Sequence, residues 1–135
     1  MIGLTTKYAI RILRTLSSTN ESSEFMNTEE LAARANIPKP YLSKVVMRLA
    51  AAELIETRCG KSGGARLSRE LGSLSLYEVC TALGDPIVNE TCFLSQKNCS
   101  SSKHCAFHSD WQKARIAFHK FLKTCTVEVA GERLS

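Results

Sequence analysis

The chain has 135 residues, 44% hydrophobic and 23% charged, which is typical of one globular domain and excludes a disordered or collagen-like protein. No apolar run approaches the roughly 18 residues that a membrane span requires, so no membrane partner is expected. Arg11 and Arg14 interrupt the first hydrophobic stretch, where a signal peptide would be unbroken, and we therefore expect a cytoplasmic protein.

The net charge of +5 is concentrated in one segment. Between Arg34 and Arg69 lie eight basic residues and two acidic ones, a local net charge of +6, whereas the sequence from Leu71 onward is nearly neutral. Lysines and arginines that face phosphates release condensed counterions, so this segment indicates a surface that binds a polyanion. A solvated basic face without a partner would carry the same charge.

Three helices are predicted in the first part of the chain. Apolar residues recur at helical spacing over residues 4–16. Asn27 is a good N-cap for a short helix over residues 28–35. A tight turn then leads into a helix over residues 39–52, which has a proline in its first turn. A short helix, a turn and a second helix with a basic first half form the helix-turn-helix arrangement.

A glycine-rich hairpin is predicted directly after these helices. Residues 54–58 and 65–68 have the composition of short strands, and residues 59–64 form the loop between them. The glycines let the backbone approach DNA closely and the basic residues supply charge, so the hairpin is interpreted as a wing. The Gly60-Lys-Ser run lacks the upstream glycine of a nucleotide-binding loop, and no nucleotide is expected.

The residues predicted to contact DNA lie on the second helix of the helix-turn-helix and on the wing. They are Lys39, Tyr41, Ser43, Lys44 and Arg48 on the helix, and Arg58, Lys61 and Arg66 on the wing. Tyr41, Ser43 and Lys44 can reach base edges or phosphates in a major groove. Lys39 and Arg48 are better suited to phosphates. Each of these residues can also be interpreted as a solvated surface group.

The C-terminal part is predicted to contain two more helices. One runs from an N-cap at Ser75 to residue 83, and the other covers residues 104–129. On the second, large residues at alternating spacings of four and three form a heptad seam: Phe107, Trp111, Ala114, Phe118, Phe121 and Cys125. Because helix-turn-helix proteins generally read two half-sites of a palindromic operator, we expect this seam to form a homodimer interface, with packing on the chain's own core as the alternative.

The predicted fold class is therefore mainly α: a winged helix-turn-helix with a small β-hairpin wing and a long C-terminal dimerisation helix. It divides into a DNA-binding domain (1–83), a cofactor-binding loop (84–105) and a dimerisation helix with its tail (106–135).

Three of the six cysteines lie close together in the predicted loop. Cys92, Cys99 and Cys105, with His108, give the pattern C-x6-C-x5-C-x2-H. Thiolates with one imidazole suit zinc or an iron–sulfur cluster. Structural zinc sites usually contain a short C-x2–4-C pair, and the longer gaps here can wrap around something larger than one ion. A bound inorganic cofactor is favoured over three exposed loop thiols, which would oxidise without benefit.

The other three cysteines have different surroundings. Cys80 and Cys125 lie on the apolar stripes of their helices and are expected in the core. Cys59 lies in the wing and is expected to be exposed.

The sequence resembles, over nearly its whole length, the Rrf-type winged-helix regulators, which include the iron–sulfur sensors called IscR, NsrR and RirA. The segments that carry the resemblance are TKYAIRIL (6–13), IPKPYLSKV (37–45), GKSGGARL (60–67), LSLYEV (74–79) and the three-cysteine loop. The resemblance implies a dimeric DNA-binding repressor or activator with a crossed pair of C-terminal helices. It also implies a cluster held by the three loop cysteines near the dimer interface.

The sequence departs from the family pattern at two places. Some members take a fourth cluster ligand from an acidic side chain just before the tyrosine of the first helix, where this chain has Lys7. The IscR-like pattern then points to His108, with His104 as the alternative. Such a ligand set favours a two-iron, two-sulfur cluster, and a four-iron cluster with an open position is the alternative. In the wing, Cys59 and Ala65 replace the usual arginine and aromatic residue, so the family's operator preference is not carried over.

The predicted function is DNA-binding transcription regulation, with repression as the expected mode, controlled by a cluster that senses redox state, nitric oxide or iron supply. A metal-free regulator in which two loop cysteines form a reversible disulfide is the alternative. An iron–sulfur electron carrier is a weaker alternative, because a carrier needs no basic helix-turn-helix. No Ser-His-Asp set or paired-carboxylate site is recognisable in the sequence, so the chain is not expected to be an enzyme.

Overall fold

The computed structural model describes residues 1–18, 24–94 and 105–133. The elements in chain order are α1 (Leu4–Ser17), α2 (Thr28–Ala35), α3 (Lys39–Ala51), β1 (Ile55–Arg58), β2 (Gly64–Leu67), α4 (Leu76–Ala82), α5 (His108–Thr124) and α6 (Val127–Arg133), with short 3-10 turns at Leu71–Ser73 and Pro86–Val88. The order of helix, helix-turn-helix, hairpin and C-terminal helices confirms the predicted fold class, a mainly helical winged helix-turn-helix.

The helix-turn-helix is formed by α2 and α3, and local capping groups fix its turn. The Asn27 side chain accepts a hydrogen bond of 2.8 Å from the Glu30 amide at the start of α2. Asn36 ends α2 with a φ of 53°, a left-handed conformation that asparagine tolerates better than most residues. Pro40 lies in the first turn of α3, where the missing amide hydrogen is not needed.

The wing is a two-stranded antiparallel hairpin whose register runs from Ile55 opposite Leu67 to Arg58 opposite Gly64. On its other edge, β2 pairs with the chain just before α2, because Met26 and Ala65 exchange two backbone hydrogen bonds of 2.9 Å. This approach requires a glycine at position 64, since a Cβ there would lie 1.9 Å from the Met26 carbonyl oxygen.

The core surrounds α1, which packs against α2, α3, α4 and α6. Ile10 and Leu13 of α1 are fully buried, together with Leu31 of α2 and Leu42 and Leu49 of α3. The second helix of the helix-turn-helix, α3, is called the recognition helix below. It packs on α1 through its apolar stripe, and its other side faces solvent. Within the described ranges, no helix is long and apolar enough to cross a membrane.

The prediction of one unbroken helix over residues 104–129 is wrong. The helix α5 begins at His108 and ends at Thr124, and Cys125 adopts an extended conformation. Backbone hydrogen bonds from the Leu76 amide to the Cys125 carbonyl (2.8 Å) and from the Val127 amide to the Leu74 carbonyl (2.9 Å) hold the chain beside α4. These pairings between distant segments stop the helix, and α6 then turns back onto α1.

Candidate DNA-binding surface and cysteine site

The solvent side of α3 carries the predicted base-reading residues. Tyr41, Ser43 and Lys44 are all exposed. The ring of Tyr41 lies beside that of Tyr8 of α1, with the two ring centroids 6.2 Å apart. The Ser43 hydroxyl donates to the Lys39 carbonyl oxygen at 3.2 Å. Met47, which the sequence analysis did not select, is also exposed on this helix. The outer side of α3 thus presents a mixed polar and apolar surface of the size that a major groove accepts.

Two of the predicted phosphate contacts already have partners within the chain. The Lys39 ammonium forms an ion pair with Glu29 at 2.7 Å, and its hydrogen bond lowers the pKa of that carboxyl. The Arg48 Nη1 donates to the Leu83 carbonyl oxygen at 2.7 Å, at the end of α4. Arg48 therefore connects the recognition helix to the segment that leads into the cysteine loop.

The basic residues of the wing lie on its two strands and its tip. Arg58 ends β1, Arg66 lies in β2, and the exposed Lys61 lies in the turn between them. The Arg66 guanidinium pairs with the Glu56 carboxylate at 2.7 Å. Both wing arginines also contact the ring of Phe25, which lies just before α2 and was not among the predicted site residues.

A groove of about 630 Å³ separates the recognition helix from the wing. Its lining includes Ser43 and Met47 from α3 and Arg58 and Cys59 from the wing. Cys59 is exposed, as predicted. The two predicted DNA-contact elements therefore border one continuous depression, which presents hydroxyl, thiol and guanidinium groups to solvent.

Two of the three loop cysteines place their thiols side by side. The Sγ atoms of Cys92 and Cys105 are 4.0 Å apart. This is too far for a disulfide, whose sulfur–sulfur distance is about 2.05 Å. It is close to the separation of about 3.8 Å that two thiolates adopt on one tetrahedral metal ion with bonds near 2.3 Å. The donor chemistry and spacing of this pair therefore fit chelation of one metal atom.

The indole of Trp111 on α5 positions the pair. Its Nε1 donates to the Thr91 carbonyl oxygen at 3.1 Å, and its ring lies 5.3 Å from that of Phe93. Both neighbours of Cys92 are thereby held against the first turns of α5. Cys105 lies three residues before the start of α5, and the His108 amide donates to its carbonyl oxygen at 3.1 Å, so the start of the same helix also positions the second thiol.

The remaining predicted ligands are Cys99 and His108, with His104 as the alternative to His108. Cys99 and the alternative ligand His104 lie outside the described residues. His108 is the first residue of α5. Among residues 1–18, 24–94 and 105–133, no three Cys, His, Asp or Glu side chains converge on one metal position. Within the described residues, the structure brings together the Sγ atoms of Cys92 and Cys105.

The two predicted core cysteines differ in burial. Cys80 is fully buried, and burial together with the nearby Asp85 charge raises the pKa of its thiol to about 11. Cys125 is half-buried and packs against the core. Cys80 is therefore protonated at neutral pH and unreactive, as its position on an apolar stripe indicated.

The predicted seam on α5 divides into two sets. Trp111 and Cys125 are partly buried against their own chain. Ala114 is exposed, and so are Phe107, Phe118 and Phe121, which are between 41% and 55% exposed. Phe118 and Phe121 stack on each other with centroids 6.3 Å apart. The outer flank of α5 thus carries an aromatic surface of the kind that marks a protein interface.

A buried carboxylate, which sequence analysis also missed, anchors the start of the cysteine loop. Asp85 is 4% exposed and accepts hydrogen bonds from the Gly3 amide (2.8 Å), the Thr6 hydroxyl (2.7 Å) and the Ile87 amide (3.2 Å). Burial raises the pKa of Asp85, but these hydrogen bonds outweigh it and hold the pKa below its ordinary value. Asp85 therefore ties the loop to the first turn of α1.

A helix-turn-helix followed at once by a basic hairpin defines a winged-helix DNA-binding protein. The comparison with known families agrees with this class. The family described as "Rrf2: Iron-dependent Transcriptional regulator" matches residues 3–131, and the chain belongs to this family of transcription regulators. The match confirms the resemblance drawn from the sequence and identifies the chain as a regulator, not an enzyme.

Individual relatives support the same family. The chain is 31% identical over 124 residues to the HTH-type transcriptional regulator NsrR of Oceanobacillus iheyensis, covering 91% of this chain and 84% of that protein. Its fold is similar to CymR, described as the global cysteine regulator of B. subtilis, with a TM-score of 0.72, 19% identity and coverage of 98% and 97% of the two chains. It is also similar to T. potens IscR, with a TM-score of 0.66, 18% identity and coverage of 100% and 88%.

Proposed function

We propose that the chain is a homodimeric regulator whose affinity for a palindromic operator is controlled by an iron–sulfur cluster. Cys92, Cys99, Cys105 and His108 would hold the cluster. The observation that carries this proposal is the 4.0 Å separation of the Cys92 and Cys105 Sγ atoms, the spacing of two thiolates on one metal. When bound, the cluster supplies a cross-link whose strength responds to oxidant, nitric oxide or iron supply.

The chain's own contacts connect the cysteine site to the recognition helix. The loop that bears Cys92 begins at the segment 83–85, which is held on both sides. The Leu83 carbonyl accepts from Arg48 of α3, and the Asp85 carboxylate accepts from Gly3 and Thr6 of α1. A change in the loop is therefore transmitted to α3 through a direct hydrogen bond. Misplacing one or two base contacts per half-site would cost about 1–3 kcal/mol each, enough to switch operator occupancy.

Each of the three parts of the chain has its own proposed role. Residues 1–83 would bind DNA, residues 84–105 would hold the cluster, and residues 106–135 would form the dimer. The exposed aromatic flank of α5 supports the last assignment, because a second copy would cover it. Two recognition helices about one DNA turn apart would then read the two halves of an operator.

The test of the cluster is anaerobic purification followed by visible absorption and analysis of iron and acid-labile sulfide. We expect a coloured protein, and we expect Cys92→Ala, Cys99→Ala and Cys105→Ala each to lose the colour. Cys59→Ala is the matched control, since Cys59 is exposed on the wing and should leave the spectrum unchanged. A colourless wild-type protein without sulfide would refute the cluster. An unchanged spectrum and stability in His108→Ala would refute His108 as the fourth ligand.

The second candidate is a thiol-based regulator in which Cys92 and Cys105 form a disulfide. The same 4.0 Å separation favours it, because the two sulfurs need to approach by only about 2 Å. A peroxide would accept two electrons and two protons from the two thiols, joining the sulfurs and releasing water. Native mass spectrometry separates the candidates, since a disulfide lowers the mass by about two units whereas a cluster adds far more.

The DNA-binding role is tested by selecting duplexes from a random pool and measuring their affinity across salt concentrations. We expect a two-fold symmetric site, bound more weakly as salt rises, because phosphate contacts release counterions. Binding that showed neither sequence preference nor salt dependence would contradict an operator-binding regulator.

A further inference from the structure

One aromatic ring contacts both arginines of the wing strands. The Cζ atoms of Arg58 and of Arg66 each lie 4.4 Å from the centroid of the Phe25 ring. Both distances are well within the roughly 6 Å over which a guanidinium is attracted to an aromatic face. Phe25 is separated in sequence from the wing, so this contact is made by the tertiary structure.

The backbone, and not the ring itself, determines where Phe25 lies. The next residue, Met26, is buried and exchanges two backbone hydrogen bonds of 2.9 Å with Ala65 of β2. Gly64 makes this approach feasible because it has no side chain. The chain segment before α2 is thereby fastened to the wing, and the half-buried Phe25 ring is presented beside both strands.

The strand register places the two positive charges of Arg58 and Arg66 on one face of the wing. Glu56 and Arg58 are two residues apart in β1 and share a face, and Arg66 lies opposite Glu56. The Glu56 carboxylate pairs with Arg66 at 2.7 Å and offsets one of the two positive charges. Each guanidinium is attracted to the electron-rich ring, and this attraction offsets part of the repulsion between the two positive charges.

We propose that Phe25 is a positioning residue for DNA binding: it holds Arg58 and Arg66 in a fixed orientation before DNA arrives. Arginine loses considerable side-chain entropy when it is immobilised, and preorganisation reduces that loss at the moment of binding. The ring would also cover the aliphatic stems of both arginines. This inference rests on the proposed DNA-binding role of the wing.

The first test needs no DNA. In the wild-type protein, the side-chain NMR signals of Arg58 and Arg66 should be shifted by the aromatic ring current. Phe25→Leu keeps an apolar side chain but removes the ring, so both sets of signals should move to the values of a solvated arginine. Phe25→Trp should retain the shifts. Arginine signals that were the same in wild type and Phe25→Leu would refute the contact.

The second test measures binding of each variant to a random-sequence duplex of about 30 base pairs, long enough for two half-sites. Phe25→Leu should weaken binding about three- to tenfold, as expected for an aromatic contact to two cations, and Phe25→Trp should bind like wild type. In an Arg58→Ala/Arg66→Ala background, Phe25→Leu should change nothing, because the groups that it positions are gone.

The outcomes separate the two proposals. If wild type binds the duplex and Phe25→Leu binds equally well, Phe25 has no positioning role. If the losses of binding free energy caused by Phe25→Leu and by the double arginine variant simply add, Phe25 does not act through these arginines and affects only the stability of the fold. If wild type binds no duplex although the arginine signals are ring-shifted, the DNA-binding role of the wing is refuted and the contact itself stands.

Discussion

Asp85 illustrates how one buried carboxylate can control the geometry of a loop. It accepts hydrogen bonds from Gly3, Thr6 and Ile87, and its pKa is lowered. Two of these partners are 82 and 79 residues away in sequence, so no local pattern could have identified the site.

We expect Asp85→Asn to destabilise the protein by about 1–3 kcal/mol at neutral pH, because the amide cannot accept all three hydrogen bonds without turning its own N–H groups towards donors. A carboxylate with a lowered pKa contributes stability above its unfolded pKa and loses that contribution as the pH falls through its folded value. The gap between wild type and Asp85→Asn should therefore narrow below about pH 4.

Urea denaturation at several pH values measures this gap, with Glu90→Gln as the control because Glu90 is an exposed carboxylate in the same loop. A stability difference for Asp85→Asn that stayed constant down to pH 2 would contradict a charged Asp85 in the folded protein.

At the scale of the elements, the helix-turn-helix and the wing were predictable because their signals are local. Asn27 caps α2 and Asn36 ends it, and both act on residues close in sequence. The end of α5 was not predictable, because it depends on hydrogen bonds from segment 125–127 to Leu74 and Leu76. Heptad spacing continues through Cys125, so the sequence pattern alone favoured a longer helix than the structure contains.

The two glycines of the wing offer a matched pair of substitutions. Gly64→Ala would place a Cβ 1.9 Å from the Met26 carbonyl oxygen, whereas a Cβ at Gly60 would meet nothing within 4 Å. Both glycines have positive φ angles, so both substitutions strain the backbone, but only the first also produces a clash.

We expect Gly64→Ala to cost about 2–4 kcal/mol and Gly60→Ala about 1 kcal/mol. Denaturant midpoints at a constant m-value measure both costs. Equal costs for the two variants would show that the approach of Met26 to β2 is not a tight constraint.

At the scale of the whole molecule, the outer flank of α5 is the proposed dimer interface. Phe121→Glu places a charge on this flank, and a two-fold axis would introduce the change twice. Loss of two buried phenylalanines costs about 3–6 kcal/mol, so the variant should be a monomer at micromolar concentration. Lys120→Glu introduces the same side chain about 100° around the helix from Phe121, at an exposed position outside the aromatic set, and as the control it should remain a dimer. Sedimentation equilibrium measures the difference, and a dimeric Phe121→Glu would contradict this interface.

The break at Cys125 has a mechanical consequence for the molecule. It fixes the C-terminal end of α5, where Leu122 and Val127 are buried, while Trp111 and the cysteine pair hold the other end. A helix of 17 residues is about 25 Å long. A tilt of about five degrees displaces its far end by about 2 Å, comparable to the helix shifts of known allosteric transitions. In the proposed regulator, a change in the spacing of the two sulfur atoms would tilt α5 about the break, and a partner subunit packed on its outer flank would move with it.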